Sequence, residues 1–173
     1  QNSIEAISGE GKGGKIFWTF DRSEKDDSGI HKLSIIDTGP GMTGEDLRML
    51  MNQMYSSGKN QTMDGNFGIG AKIAGLYRSP AGMIYKSYQD GRGVFGEFIR
   101  TRKGKYGLAQ QEDEDGSYSS YLEIPYYDKP KQIEDCGTAV TLIGRDENED
   151  TFTSPPEGDH GVHWLSRFLN GRY

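Results

Sequence analysis

Disulfide chemistry is excluded at once. Among 173 residues there is a single cysteine, Cys136, which admits no internal bridge and suits a reducing, cytoplasmic setting. Histidine is nearly as scarce, with three in all. His160 and His163 have the spacing of one helical face, yet no further Cys or His lies near them in sequence to complete a zinc site. No signal peptide and no membrane-spanning apolar run is visible, so a membrane partner is not expected. Positive charge is in deficit, 20 Lys and Arg against 26 Asp and Glu, a net −6, which denies the domain a nucleic-acid footprint. The basic cluster Arg100-Thr101-Arg102-Lys103-Gly104-Lys105 reads as a solvated hairpin end, with a DNA or partner contact as the alternative.

What the chain does have is three glycine- and acid-marked strings in a fixed order: Asn2-Ser3-Ile4-Glu5-Ala6, Asp37-Thr38-Gly39-Pro40-Gly41-Met42 and Gly65-Asn66-Phe67-Gly68-Ile69-Gly70. Together they describe a nucleotide pocket. The middle string follows Lys32-Leu33-Ser34-Ile35-Ile36, a short buried strand that ends in Asp37 and a glycine-proline-glycine turn. A buried carboxylate needs a donor, and the exocyclic amine of adenine is one; Gly39 and Gly41 remove Cβ atoms that would hold a flat base away. Taken alone the string also fits a plain strand-to-turn junction. The third string precedes a helical pattern over residues 69–77. Its glycines expose backbone N–H groups at a helix start, where a phosphate can approach closely. A flexible loop before an ordinary helix is the alternative.

The order and wording of these strings resemble the GHKL superfamily of ATPases (gyrase, heat-shock chaperone, histidine kinase, MutL) and their Bergerat fold. In that family an Asn in the first string coordinates Mg²⁺, the Asp of D-x-G-x-G binds adenine, and G-x-x-G-x-G lies against the phosphates. Asn2, Asp37, Gly39, Gly41, Gly65, Gly68 and Gly70 match. A fourth element, Gly137-Thr138-Ala139-Val140-Thr141-Leu142, resembles the late strand whose Gly-Thr reaches toward adenine, which makes Thr138 the corresponding residue. The wording is nearest to the topoisomerase VI ATPase subunit and to the chaperones. The resemblance implies an ATP lid over residues 42–64, with Lys59 either a phosphate contact or a solvated loop charge. Glu5, where the family usually has Asp, is implied as pocket wall or a water-bridged contact, and Ala6, Met42, Asn66, Phe67 and Ile69 accompany the motif residues around the nucleotide.

The family's general base is a Glu four residues before the metal-binding Asn, a position ahead of Gln1. The catalytic base is therefore unknown, and residues 1–173 are expected to be one ATP-binding domain truncated at both ends relative to a longer parent. The function expected is Mg²⁺-dependent ATP hydrolysis that drives lid closure and dimerisation, as a homodimer or larger assembly through flanking domains. Nucleic acid would be contacted only through other domains. Two alternatives stay open: a nucleotide-sensing or scaffold module that does not hydrolyse ATP, and a histidine-kinase catalytic domain.

The remaining pattern predicts α+β: a two-layer sandwich of mostly antiparallel strands with helices on one face. Helices are expected at the start, at 45–54 and at 69–77. Strands are expected at 15–20, 32–36, 82–88, 94–101, 118–124 and 139–143, with Asp90-Gly91 as a hairpin turn. Gly9 to Gly14 imitates a dinucleotide fingerprint but leads into a strand-like segment, so it reads as a helix-to-strand connection. The run from Asp146 to Asp150, with Glu157, imitates calcium-loop spacing. Thr151 at the sixth position and Pro155-Pro156 favour an acidic loop.

Overall fold

The computed structural model describes residues 2–8, 13–53, 75–113 and 115–153. Helix α1 (Asn2–Ser8) leads to β1 (Ile16–Phe20), α2 (Arg22–Ser28), β2 (Leu33–Asp37) and α3 (Gly44–Gln53). After a helical turn at 75–78 come β3 (Gly82–Gln89), β4 (Arg92–Arg100), β5 (Tyr106–Leu108), β6 (Gln111–Glu112), β7 (Tyr118–Ser119), β8 (Leu122–Ile124) and β9 (Gly137–Gly144).

Among the described residues, seven strands form one antiparallel sheet in the order β1-β2-β9-β3-β4-β5, with β8 also paired to β4; β6 and β7 pair separately. The expected α+β architecture is present. Gln89 pairs with Arg92, so β3 and β4 are joined by a two-residue turn, Asp90 at φ 50° and Gly91 at φ 73°. That is the primed geometry whose twist suits a hairpin. The last strand, β9, lies in the middle, flanked by β2 and β3.

Two cores follow from the strand alternation. Leu33, Met83, Tyr85, Phe98 and Leu142 share one face with Leu47 of α3, which is fully buried. Ile36, Tyr88 and Ala139 on the other face pack with Ile133 from the connection between β8 and β9. Their strands are therefore buried nearly throughout, and polar side chains within them have to find partners inside the protein.

Two expectations need correction. Residues 118–124 are two strands, because β7 pairs with β6 whereas β8 pairs with β4. The break at Ser120-Tyr121 lets the Tyr121 ring lie over the start of α3, where a Cβ on Gly44 would come within 2.1 Å of Tyr121 Cε2. Helix α2 was not expected. It buries no residue, so it shows no apolar period; its caps alone define it, with Asp21 accepting from the Ser23 and Glu24 amides and Gly29 in the left-handed region. Asp21 also ties α2 to the sheet, taking bonds from Lys86 Nζ at 3.2 Å and Thr141 Oγ1 at 2.9 Å.

The acidic loop after β9 is organised by cations. Lys32 is buried and donates to the carbonyls of Ile143, Asp146 and Glu149, while Glu149 pairs with Arg78 and Arg145. No helix among the described residues is long and apolar enough to cross a membrane.

Candidate functional site

Asp37, Thr138 and Ser87 stand side by side on β2, β9 and β3, because Asp37 pairs with Thr138 and Thr138 pairs with Ser87. Directly opposed residues share a face, so the three form one polar row at the end of the sheet. All are buried, at 7%, 8% and 1% exposure respectively.

Around Asp37 the chain supplies donors. Gly39 N–H reaches Oδ1 at 3.1 Å, and the Ser3 side chain of α1 and the Thr138 backbone lie close enough to favour the charged form. Burial nevertheless dominates and raises its pKa above the ordinary aspartate value. The following turn is fastened on both sides: Lys15 N–H bonds Thr38 Oγ1 at 2.9 Å, and Met42 N–H bonds Ser87 Oγ at 2.8 Å.

The two glycines of this turn also have a reason within the protein itself. A Cβ on Gly39 would sit 3.0 Å from Asp37 Oδ1 and 3.1 Å from Ala6 Cβ. One on Gly41, at φ 76°, would sit 2.2 Å from the Tyr88 carbonyl oxygen. Both glycines let the turn press against α1 and β3, the protein's own atoms. Gly137 does the same for β9, since its Cβ would meet the Asp37 carbonyl oxygen at 2.3 Å.

Helix α1 places Ser3 and Ala6 against this turn, and Asn2 stands one helical turn before Ala6. Of Asn2 and Glu5 only the helical backbone is described. Met42 passes directly into α3, whose start is capped reciprocally: Asp46 N–H bonds Thr43 Oγ1, and Thr43 N–H bonds Asp46 Oδ2. Lys59, Gly65, Asn66, Phe67, Gly68, Ile69 and Gly70 lie outside the described residues. An open cleft of about 430 Å³ is lined by Lys15, Phe17, Thr38, Lys131, Asp135 and Cys136 among others. None of Asp37, Thr138 and Ser87 lines it, and Phe17 belongs to the opposite sheet face.

The structure thus brings together Ala6, Asp37, Gly39, Gly41, Met42 and Thr138, which are separated by up to 132 positions in sequence. It adds Ser3 and Ser87, which sequence reasoning missed. Ser3 lies inside the first string, so its position was visible though its role was not. Ser87 had one available signal, a serine between Tyr85 and Tyr88 in a mostly buried strand.

The family model for histidine kinase-, DNA gyrase B- and HSP90-like ATPases matches residues 1–110. The chain belongs to this family. In this GHKL domain the matched span contains α1, the Asp37 turn and the β3–β4 hairpin. Thr138 lies beyond that span and is joined to it by strand register and by its hydroxyl contact with Ser87 at 2.9 Å. No curated protein matches the chain. Among solved structures it is similar to the 43K ATPase domain of Thermus thermophilus gyrase B in complex with an aminocoumarin, at 15% identity and a TM-score of 0.43. That likeness covers 82% of this chain and 30% of the gyrase chain.

Proposed function

We propose that this domain binds ATP, with the adenine amine donating to Asp37, and hydrolyses it with Mg²⁺ to drive closure of the segment after Met42 and association of a larger assembly. The observation that carries the reading is the state of Asp37. An ionised carboxylate offers about four lone-pair sites. Gly39 N–H takes one at 3.1 Å, the Ser3 side chain and the Thr138 backbone favour the charge from nearby, and burial still disfavours it. A further donor is what such a buried carboxylate calls for. An exocyclic amine supplies it; the carbonyl of guanine does not.

In this reading α1 presents Asn2 to the metal and Ala6 to the base, and the glycines at 65, 68 and 70 receive the phosphates. Mg²⁺, when bound, neutralises charge on the phosphate oxygens and helps position the γ-phosphate. The residues of the row hold the base, and so fix where the triphosphate chain begins.

Calorimetry on the 173-residue chain tests the reading. ATP should bind more tightly than GTP. Asp37→Asn should weaken ATP about ten- to a hundredfold, the worth of a hydrogen bond to a charged group. Equal affinity for ATP and GTP, or an Asp37→Asn variant that binds like wild type, would overturn the adenine assignment.

A further inference from the structure

We propose that β1 is an interface: two copies of this chain pair edge to edge through it, antiparallel about a twofold axis at Trp18, and so continue one sheet across both. Sequence reasoning put assembly in flanking domains. This surface lies within the domain itself, and it is independent of the reading of the nucleotide.

Among the described residues β1 ends the sheet, with β2 as its neighbour on one side and no strand on the other. The bonds at its two ends decide which backbone groups face where: Thr38 N–H donates to the Lys15 carbonyl at 3.1 Å, and Asp21 N–H to the Lys32 carbonyl at 2.9 Å. Hydrogen-bonded pairs alternate along an antiparallel ladder. Phe17 and Thr19 therefore bond inward to their partners Ile36 and Ser34, while Ile16, Trp18 and Phe20 direct their N–H and C=O groups outward. Such edges are ordinarily blunted by charge, proline or a bulge. Ile16–Phe20 contains no charged residue and no proline, and its register against β2 is unbroken. Trp18, at its middle, is 37% exposed.

A second copy is the occupant because this edge is complementary to itself. In an antiparallel pairing a hydrogen-bonded pair of residues exchanges both of its bonds. Around an axis at Trp18 the exchanging pairs are Trp18 with Trp18 of the other copy, and Ile16 with Phe20 in each direction, so every outward group of both strands finds a partner. The side chains agree. Trp18 meets Trp18 and Ile16 meets Phe20 on one face, Phe17 meets Thr19 on the other, and just beyond them Lys15 falls opposite Asp21; no like charges face each other. Aromatic and opposite-charge pairs across strands each stabilise a sheet. Asp21 caps α2, so the chain leaves the edge there and the contact is one strand wide. An interface that small is weak and reversible.

The test follows backbone amide exchange by NMR in the nucleotide-free 173-residue chain at rising concentration, beside sedimentation velocity. Wild type should pass from monomer to dimer between about 10 µM and 1 mM, as suits a one-strand contact. Over that range the amides of Ile16, Trp18 and Phe20 should slow about tenfold or more, while those of Phe17 and Thr19, bonded within the chain, should not change. Trp18→Lys puts a charge on the edge, and Ile16→Pro removes one outward donor without touching the bonds to β2. Each should stay monomeric, with urea unfolding to show that it folds; if a variant does not fold, the wild-type amide pattern decides alone. A chain that is monomeric throughout overturns the proposal. So does a dimer whose Ile16, Trp18 and Phe20 amides exchange as they do in the monomer, and so do folded variants that dimerise like wild type. Each of these results leaves the nucleotide assignment standing, just as equal binding of ATP and GTP would leave this interface standing.

Discussion

Burial raises the pKa of Asp37 against the opposing pull of Gly39, Ser3 and Thr138. The folded value lies above the unfolded one. The stability tied to this group is therefore fully present below the unfolded pKa and is lost as pH rises through the folded pKa. Binding of an amine runs the other way, because only the ionised carboxylate accepts without competition from its own proton. Adenosine, which has no phosphates to titrate, should bind progressively more weakly as pH falls through the raised Asp37 pKa. Calorimetry across that range should show the dependence in wild type and lose it in Asp37→Asn. At the same scale, the clash of a Gly41 Cβ with Tyr88 predicts that Gly41→Ala costs more than the ~1–2 kcal/mol of a left-handed alanine alone. Gly29→Ala supplies the baseline, since φ there is 75° with nothing within 4 Å of the added atom. Urea unfolding of the two variants checks the ranking. Asp37, Gly39, Gly41 and Thr138 were legible because fixed spacing ties each to a motif. Ser87 was not, because its significance lies in three partners contributed by the turn and by β9, and no spacing on its own strand encodes them.

Among the elements, β3 supports both the site and the core. Tyr85 and Tyr88 flank Ser87, and burial pushes the pKa of each up to about 12. Both folded values exceed the unfolded one, so the associated stability is intact below pH 10 and is lost as pH rises toward 12. Each tyrosine should account for about 2–3 kcal/mol of that loss. Denaturant midpoints measured from pH 9 to 12 should fall steeply in wild type and less steeply in Tyr85→Phe or Tyr88→Phe. Lys32 makes a second prediction at this scale. Lys32→Met leaves three carbonyls of β9 and its following loop without their donor, and should destabilise the fold by about 1.5–3 kcal/mol or more in equilibrium unfolding. The strands were readable from apolar alternation and the Asp-Gly turn. Helix α2 was hidden because a helix that buries nothing has no period to detect. The split of 118–124 was hidden because it depends on which neighbour each half pairs with.

For the molecule as a whole, binding to the native state alone adds RT ln(1 + [L]/Kd) to stability, about 2.7 kcal/mol at a hundredfold excess over Kd. In a chain of this size that corresponds to a rise in Tm of roughly 5–10 °C. Thermal melts should show such a rise with ATP, a much smaller one with GTP, and little with ATP in Asp37→Asn. A rise of equal size with both nucleotides would speak against the assignment of the base. The fold class was legible from element types alone. The strand order was not, since nothing in the spacing of β9 says that it pairs between β2 and β3; that follows from the company its side chains keep on both faces.

The central position of β9 also dictates when this protein becomes itself. During synthesis β2 and β3 emerge long before the strand that separates them in the finished sheet, so each waits with an unpaired edge, the condition in which strands pair with the wrong neighbour. Residues 137–144 must leave the ribosome before the row of Asp37, Thr138 and Ser87 exists at all. A nascent chain stalled short of that point has the carboxylate but no site around it, and the loop closure this demands makes a slow, late folding step the expected kinetic signature.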